Sequence, residues 1–207
     1  MAAQAGDTLN TEIAARKAAL RIAMRRRRKS LDPRQRRAAA RAAARRCIRC
    51  LAHDRTVAIY LSAHSELATA PLLTHLFKRK VRVYAPIVRA SGRMSFVPLR
   101  QISQVRPGYR GLPTPSSVAA PIPLAKLDAM IVPLLAFDAE GRRLGNGGGF
   151  YDRAVAPRPW RHRTRLIGYG YSFQRCAELP VEPWDVMLDW IITERNAIGS
   201  RHNRRPK

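Results

Sequence analysis

Three observations predict a three-layer α/β sandwich with a largely parallel, Rossmann-like central sheet. Short β-branched or apolar segments alternate with helical ones along the chain. No internal repeat breaks that alternation. The apolar run Leu127–Phe137 leads into a polar turn, a glycine cluster and the start of a helix. That order builds anion sites at the carboxyl ends of parallel strands.

Taken in order, residues 1–10 read as a disordered N-terminus. Thr11 to Lys29 reads as a basic helix with Ile13, Leu20 and Met24 roughly along one face. Ser30 to Pro33 marks a boundary, because Asp32 can cap and Pro33 suits a first helical position. A second helix, Pro33 to Leu51, is expected to put Ala38, Ala42, Ile48 and Leu51 near one side. Thr56 to Ser62 is a strand by its β-branched and aromatic content. Ala70 to Lys80 is a helix with Leu72, Leu73, Leu76 and Phe77 as its stripe. Val81 to Pro86 and Met94 to Leu99 are the next strands, and the Pro- and Gly-rich stretch Gln101 to Leu124 is a long loop.

Leu127 to Pro133 opens the central strand. After the glycine cluster a helix runs to Val155 and stops at Pro157-Arg-Pro159. Leu166 to Tyr171 is a strand, Phe173 to Leu179 a short helix, and Met187 to Thr193 the last strand. The polar, basic residues 195–207 read as a disordered tail. Residues 11–194 then form a single domain, and 207 residues suffice for one substantial core.

The formal net charge of +25 points to anionic partners: nucleic acid, acidic lipid, or small molecules bearing phosphates and carboxylates. Arginine and alanine dominate the excess, so part of it is attributable to compositional bias. No apolar run reaches membrane-span length, and the N-terminus lacks the apolar core of a secretory signal. Three cysteines make no disulfide framework. A cytoplasmic protein without a membrane partner, and a monomer, is the expectation.

The chemistry concentrates in Val132 to Arg153. Asp138-Ala-Glu-Gly141 is a turn. Arg142-Arg-Leu-Gly-Asn-Gly-Gly-Gly149 follows, and Phe150-Tyr-Asp-Arg153 looks like a first helical turn. Glycines let backbone N–H groups converge on an anion. The loop is not a Walker A motif, since no Lys-Ser or Lys-Thr pair follows. It is not the dinucleotide fingerprint either, because Phe150 stands where the third glycine belongs. Each candidate has a plain structural reading beside it. Asp152 is a metal or catalytic carboxylate, or an exposed first-turn acid favoured by the helix dipole. Asp185 and Glu66 are ligand groups or loop acids. Lys17 and Arg21, four apart, are a phosphate clamp or a solvated basic face. From spacing alone the solvated readings of Asp152, Asp185, Lys17 and Arg21 are favoured.

Cys47-Ile-Arg-Cys50 has CxxC spacing, but it lies mid-helix without a second pair, which suits neither a redox site nor zinc. Arg25 to Lys29 could bind nucleic acid by counterion release, although no recognition motif accompanies it.

The stretch VPLLAFDAEGRRLGNGGGFYDR resembles the signature of the 5-formyltetrahydrofolate cyclo-ligase (methenyltetrahydrofolate synthetase) family. Other parts fall in the family's order: Lys17-Ala-Ala-Leu-Arg21, Ile59-Tyr-Leu-Ser with Glu66 after it, Leu179-Pro-Val-Glu-Pro-Trp-Asp185, and Thr193-Glu194. The resemblance covers about Lys17 to Glu194. It implies that ATP and Mg²⁺ drive the conversion of 5-formyltetrahydrofolate to 5,10-methenyltetrahydrofolate. The formyl oxygen would take the γ-phosphoryl group, N10 would attack, and phosphate would leave with ADP as co-product.

Residue by residue, the resemblance implies that Lys17, Ala18, Ala19, Leu20 and Arg21 contact the nucleotide. Arg143, Leu144, Gly145, Asn146, Gly147, Gly148, Gly149, Phe150 and Tyr151 would wrap it. Leu61 and Glu66 would hold the folate, polyglutamylated or not, together with the stretch Asn146 to Phe150. Asp152 and Asp185 would hold the metal, and Arg143, Tyr151 and Asp152 would be catalytic. The chain departs from the family pattern at Phe150, where tyrosine is usual, at Ala68-Thr69, at Thr114 and at Trp184. Two alternatives stand beside this reading: a basic nucleic-acid-binding module, and a relative that binds folate or ATP without turnover.

Overall fold

The computed structural model describes residues 2–155, 164–180, 182 and 185–200, with side chains from Thr11 onward. Its centre is a seven-stranded sheet. The strands are β1 (Thr56–Ile59), β2 (Arg82–Val88), β3 (Met94–Pro98), β6 (Ala129–Pro133), β9 (Arg165–Tyr169), β10 (Trp190–Ile192) and β11 (Ala197–Gly199). Two small antiparallel ribbons lie outside it: β4 (Val105–Pro107) with β5 (Pro113–Pro115), and β7 (Ala136–Phe137) with β8 (Arg143–Leu144). In space the main sheet runs β11-β10-β9-β6-β1-β2-β3. The five central strands pair in parallel, and β3 and β11 close the edges antiparallel.

Alternation within the strands divides the core in two. Val57, Ile59, Ile131, Ile167 and Tyr169 face one side, where α2 (Pro33–Cys50) and α3 (Ala70–Lys78) cover them. Ala58, Met130, Val132, Leu166 and Ile191 face the other. Val155 of the short α4 (Phe150–Val155) and irregular segments bearing Leu127, Leu134 and Leu188 cover that side. Leu72, Leu73 and Leu76 of α3 are buried, each contributing about 1.5–3 kcal/mol of hydrophobic stabilisation. Asp32 starts α2 with a capping box: its Oδ1 accepts from Arg34 N at 2.7 Å and Gln35 N at 2.9 Å.

Several expectations shift. α1 (Ala2–Lys29) begins at Ala2, so residues expected to be frayed before Thr11 are helical; alanine-rich sequence propagates a helix once its later turns are anchored. α2 is rotated from the expected face. It buries Ala40, Ala43, Ala44 and Cys47, while Ala38 is exposed. Two alanine triplets, Ala38–Ala40 and Ala42–Ala44, leave the rotation undetermined by hydrophobicity alone. The loop Gln101 to Leu124 contains the β4–β5 ribbon. The helix expected over Phe173–Leu179 is a single 3₁₀ turn, Ser172–Gln174. The tail expected to be disordered from residue 195 instead supplies β11, whose Ile198 pairs with Ile191. Pro157 to Pro159, Val181, Pro183, Trp184 and residues 201–207 lie outside the described residues.

Candidate active site

The parallel strands present their carboxyl ends together, and the site forms there. Beyond β1 the chain turns through His64, held at φ 52°, and brings Glu66 back toward the sheet. Ser62 and Thr69 tie the two ends of this turn by reciprocal hydrogen bonds of 3.2 Å. The Tyr60 hydroxyl donates to Leu67 O at 3.0 Å. Beyond β6 the chain forms the β7–β8 ribbon, whose turn is organised by Asp138. Its buried carboxylate accepts from Glu140 N and Arg142 N at 3.0 Å and from Leu179 N at 3.2 Å. The glycine loop leaves β8 and enters α4.

Gly147 and Gly149 adopt φ of 100° and 61°, conformations that L-residues with a Cβ rarely hold. The loop carbonyls are gripped from α1 and α4. Arg21 Nε donates to Gly145 O at 3.1 Å, Arg25 Nη2 to Asn146 O at 2.8 Å, and Arg153 Nη2 to Gly148 O at 2.8 Å. Leu20 and Met24 seat α1 against Ala136, Leu144 and Leu179. The helix is therefore docked on the ribbon that starts the loop.

Two cavities meet at the loop. One, of about 330 Å³, is charged: Lys17, Arg21, Arg143 and Arg153 face Asp152, Glu182 and Asp185 across it. Lys17, only 4% exposed, donates to Glu182 Oε2 at 2.5 Å and to Asp185 Oδ2 at 2.6 Å. Arg143 Nη2 meets Asp152 Oδ1 at 2.6 Å. The second cavity, of about 150 Å³, has a mainly apolar wall that includes Tyr60, Leu61, Met94, Phe150 and Tyr151, with Glu66 and Thr114 as polar points. Arg143, Gly145, Gly148, Gly149 and Asp152 border both.

Glu66 is held ready to present its carboxylate. Oε2 accepts from Ala63 N at 2.9 Å and Oε1 from Asn146 Nδ2 at 3.0 Å. Burial, reinforced by Glu66, pushes the Tyr151 hydroxyl well above its ordinary pKa, and Tyr60 shifts the same way for the same two causes. Both phenols stay protonated through the physiological range: Tyr60 donates to Leu67 O, and Tyr151 keeps a proton that a ligand could accept. Arg28 of α1 is also buried, which lowers its pKa against the opposing field of Glu66.

The expected site residues thus converge, with limits. Lys17, Arg21, Leu61, Glu66, Asp152, Asp185 and the stretch Arg143 to Tyr151 line one or both cavities. Ala18 and Ala19 are exposed and border neither cavity, and Leu20 anchors α1 instead of lining a pocket. Glu182 and Arg153 were missed. Glu182 lies inside the Pro180-to-Asp185 segment and could have been found by asking which acids neutralise Lys17. Cys47 and Cys50 have thiol pKa values raised chiefly by burial, in keeping with an inert pair.

The model of the 5-formyltetrahydrofolate cyclo-ligase family matches residues 13–194. The chain belongs to that family. A cyclo-ligase relative from Escherichia coli is 37% identical over 178 residues, spanning 82% of this chain and 96% of its own. One from Haemophilus influenzae is 33% identical over 138 residues, covering 65% and 73%. Among solved structures, the NMR structure of Aquifex aeolicus 5,10-methenyltetrahydrofolate synthetase superposes with a TM-score of 0.73 at 27% identity, covering 92% of this chain and 96% of that one. The Mycoplasma pneumoniae synthetase, at 24% identity and a TM-score of 0.69, shares the fold. The matched residues run from within α1 through the glycine loop to beyond β10, so the whole site described above lies inside them. No described helix is long and apolar enough to cross a membrane.

Proposed function

We propose that this protein converts 5-formyltetrahydrofolate to 5,10-methenyltetrahydrofolate at the expense of ATP, with Mg²⁺. The observation that carries the reading is the single glycine loop bordering a charged cavity on one side and an apolar cavity on the other. Phosphoryl transfer between two bound molecules requires such a shared wall. It depends on positioning and charge neutralisation more than on covalent catalysis by the protein.

On the charged side, Lys17 and Arg21 take the nucleotide phosphates, with Lys17 exchanging its carboxylate partners for phosphate oxygens. Backbone N–H groups of Gly145 to Gly149 supply further donors. On the apolar side, Leu61, Phe150 and Tyr151 hold the pterin, and Glu66 accepts from its adjacent N–H groups. The Tyr151 hydroxyl donates near the formyl group. The formyl oxygen takes the γ-phosphoryl group, ADP departs, and N10 bonds to the formyl carbon. The carbon–oxygen bond then breaks, N10 loses its proton, and phosphate carries the former formyl oxygen away.

Asp152, Asp185 and Glu182 are oxygen donors of the kind a hard cation prefers. Among the described residues no three such groups cluster into a metal cage, but Mg²⁺ commonly needs only one or two carboxylates besides substrate phosphates and water, which Asp152 and Asp185 on the charged cavity wall could supply. When bound, Mg²⁺ neutralises phosphate oxygens in the transfer. The protein then acts in folate one-carbon metabolism, as a cytoplasmic monomer whose substrates are ATP and a reduced folate, polyglutamylated or not.

The test is direct. Folded protein with Mg-ATP and 5-formyltetrahydrofolate should gain methenyl absorbance and release one phosphate per product, and chelation of Mg²⁺ should stop both. Binding of both ligands without product would show a non-catalytic relative. No binding of either would overturn the reading.

A further inference from the structure

We propose that α2 is a docking ridge for the phosphate backbone of a nucleic-acid duplex, bound without regard to sequence. Arg34, Arg37, Arg41, Arg45 and Arg49 are all exposed. Their spacing of three, four, four and four residues places them on one face of the helix. The opposite face, Ala40, Ala43, Ala44 and Cys47, is packed into the core, so the ridge cannot turn inward. Among the described residues none of the five forms an ion pair. The one acid between Glu12 and Asp54 is Asp32, whose carboxylate is engaged capping α2. At the far end, Arg79 donates to Ile48 O and Ala52 O, placing another cation beside the helix terminus.

The structure removes the competing explanation for this surface and the competing basic run. α2 lines neither cavity, so its charge does not serve the site. The Arg25–Lys29 run of α1 is dispersed: Arg25 holds Asn146 O, Arg27 lies 4.7 Å from the Phe173 ring centroid, and Arg28 is buried.

Geometry selects the partner. From Arg34 to Arg49 the ridge extends about 22 Å at 1.5 Å per residue. A small anion would engage one or two of its guanidinium groups, whereas a duplex carries a charge about every 1.7 Å of its axis and can engage them all. Single-strand binding rests on open aromatic platforms, and α2 carries no aromatic residue; the rings across the groove lined by Gln35 and Ala38, Tyr171 and Phe173, stack on each other, with Arg27 over Phe173. An interfacial membrane helix needs a free apolar face, and that of α2 is already buried.

The full chain is titrated against scrambled-sequence DNA and RNA duplexes of about thirty base pairs over a range of KCl concentrations, with anionic phospholipid vesicles as a third probe. Five contacts predict a slope of log K against log[salt] of about −4.5. The triple variant Arg37→Gln/Arg41→Gln/Arg45→Gln should bind at least about tenfold more weakly and lose about 3 from the slope. Its melting temperature and cyclo-ligase turnover should be unchanged. The corresponding lysine triple should bind like wild type, since neutralising phosphate needs only charge. Binding by DNA alone or RNA alone supports the ridge and identifies its source. Absent duplex binding, an unchanged glutamine triple, a lysine triple that fails to bind, or a preference for vesicles over duplex would each overturn it.

Discussion

The two cavities flanking the glycine loop are built on opposite principles. In the charged cavity, side chains are positioned by ion pairs: Lys17 with Glu182 and Asp185, and Arg143 with Asp152. In the apolar cavity the side chains it does not share are positioned by packing and by hydrogen bonds without ion pairs. Tyr151 belongs to both hydrophobic clusters, and Tyr60 is fixed through Leu67 O. Ion pairs can be exchanged for phosphate oxygens with little movement of backbone. A packed wall cannot rearrange cheaply, which suits a rigid planar ligand. The loop joins a replaceable electrostatic frame to a fixed apolar one.

The sharpest way to break that contrast is to remove a group that borders both cavities. Asp152→Ala leaves Arg143 without its partner and deletes an oxygen donor, so turnover should fall by about 10³-fold or more, measured by methenyl formation at saturating substrates. One-sided changes come next. Lys17→Ala should raise KM for ATP by about 10- to 100-fold with little change in the folate KM, while Glu66→Gln should do the reverse. Similar effects of both variants on both constants would show that the cavities do not work separately.

The parallel sheet was legible because its strands are short β-branched runs, and the glycine loop because its glycines stand between a strand and a helix start with Arg142, Arg143 and Asp152 beside them. Asp152 and Asp185 were not distinguishable from surface acids by spacing; the family resemblance picked them out, and the ion pairs gave them partners. Glu182 escaped because its significance depends on Lys17, 165 positions away in sequence. The face of α2 escaped for a different reason. Alanine packs inside or outside with little penalty, so only its spaced arginines, which resist burial, carried the orientation. Residues 195–200 read as tail because the three-residue β11, Ala-Ile-Gly, is too short to signal a strand between Arg195-Asn196 and the polar, basic residues that follow it. It is an edge strand, held by pairing to β10 more than by burial.

A subtler probe is the loop itself. A Cβ on Gly148 would fall 2.7 Å from the Phe150 ring, which lines the apolar cavity. Gly148→Val should therefore push the ring into the apolar cavity while crowding the charged one, raising the KM values for both folate and ATP by about tenfold. An effect on ATP alone would mean that the loop is not a shared wall.

The smallest expected effect falls on Tyr151. Burial raises the hydroxyl pKa, so the folded group remains protonated as pH rises through neutrality and well beyond it. A donor that never ionises in the working range contributes no limb to a pH–rate profile. Tyr151→Phe keeps the ring that packs against both clusters and deletes only the donor. Turnover should drop by about 3- to 10-fold, the cost of one neutral hydrogen bond, with the shape of the pH profile and the melting temperature preserved. A profile that loses its alkaline limb in the variant would mean that the phenol titrates, and that the apolar cavity is wetter than its packing implies.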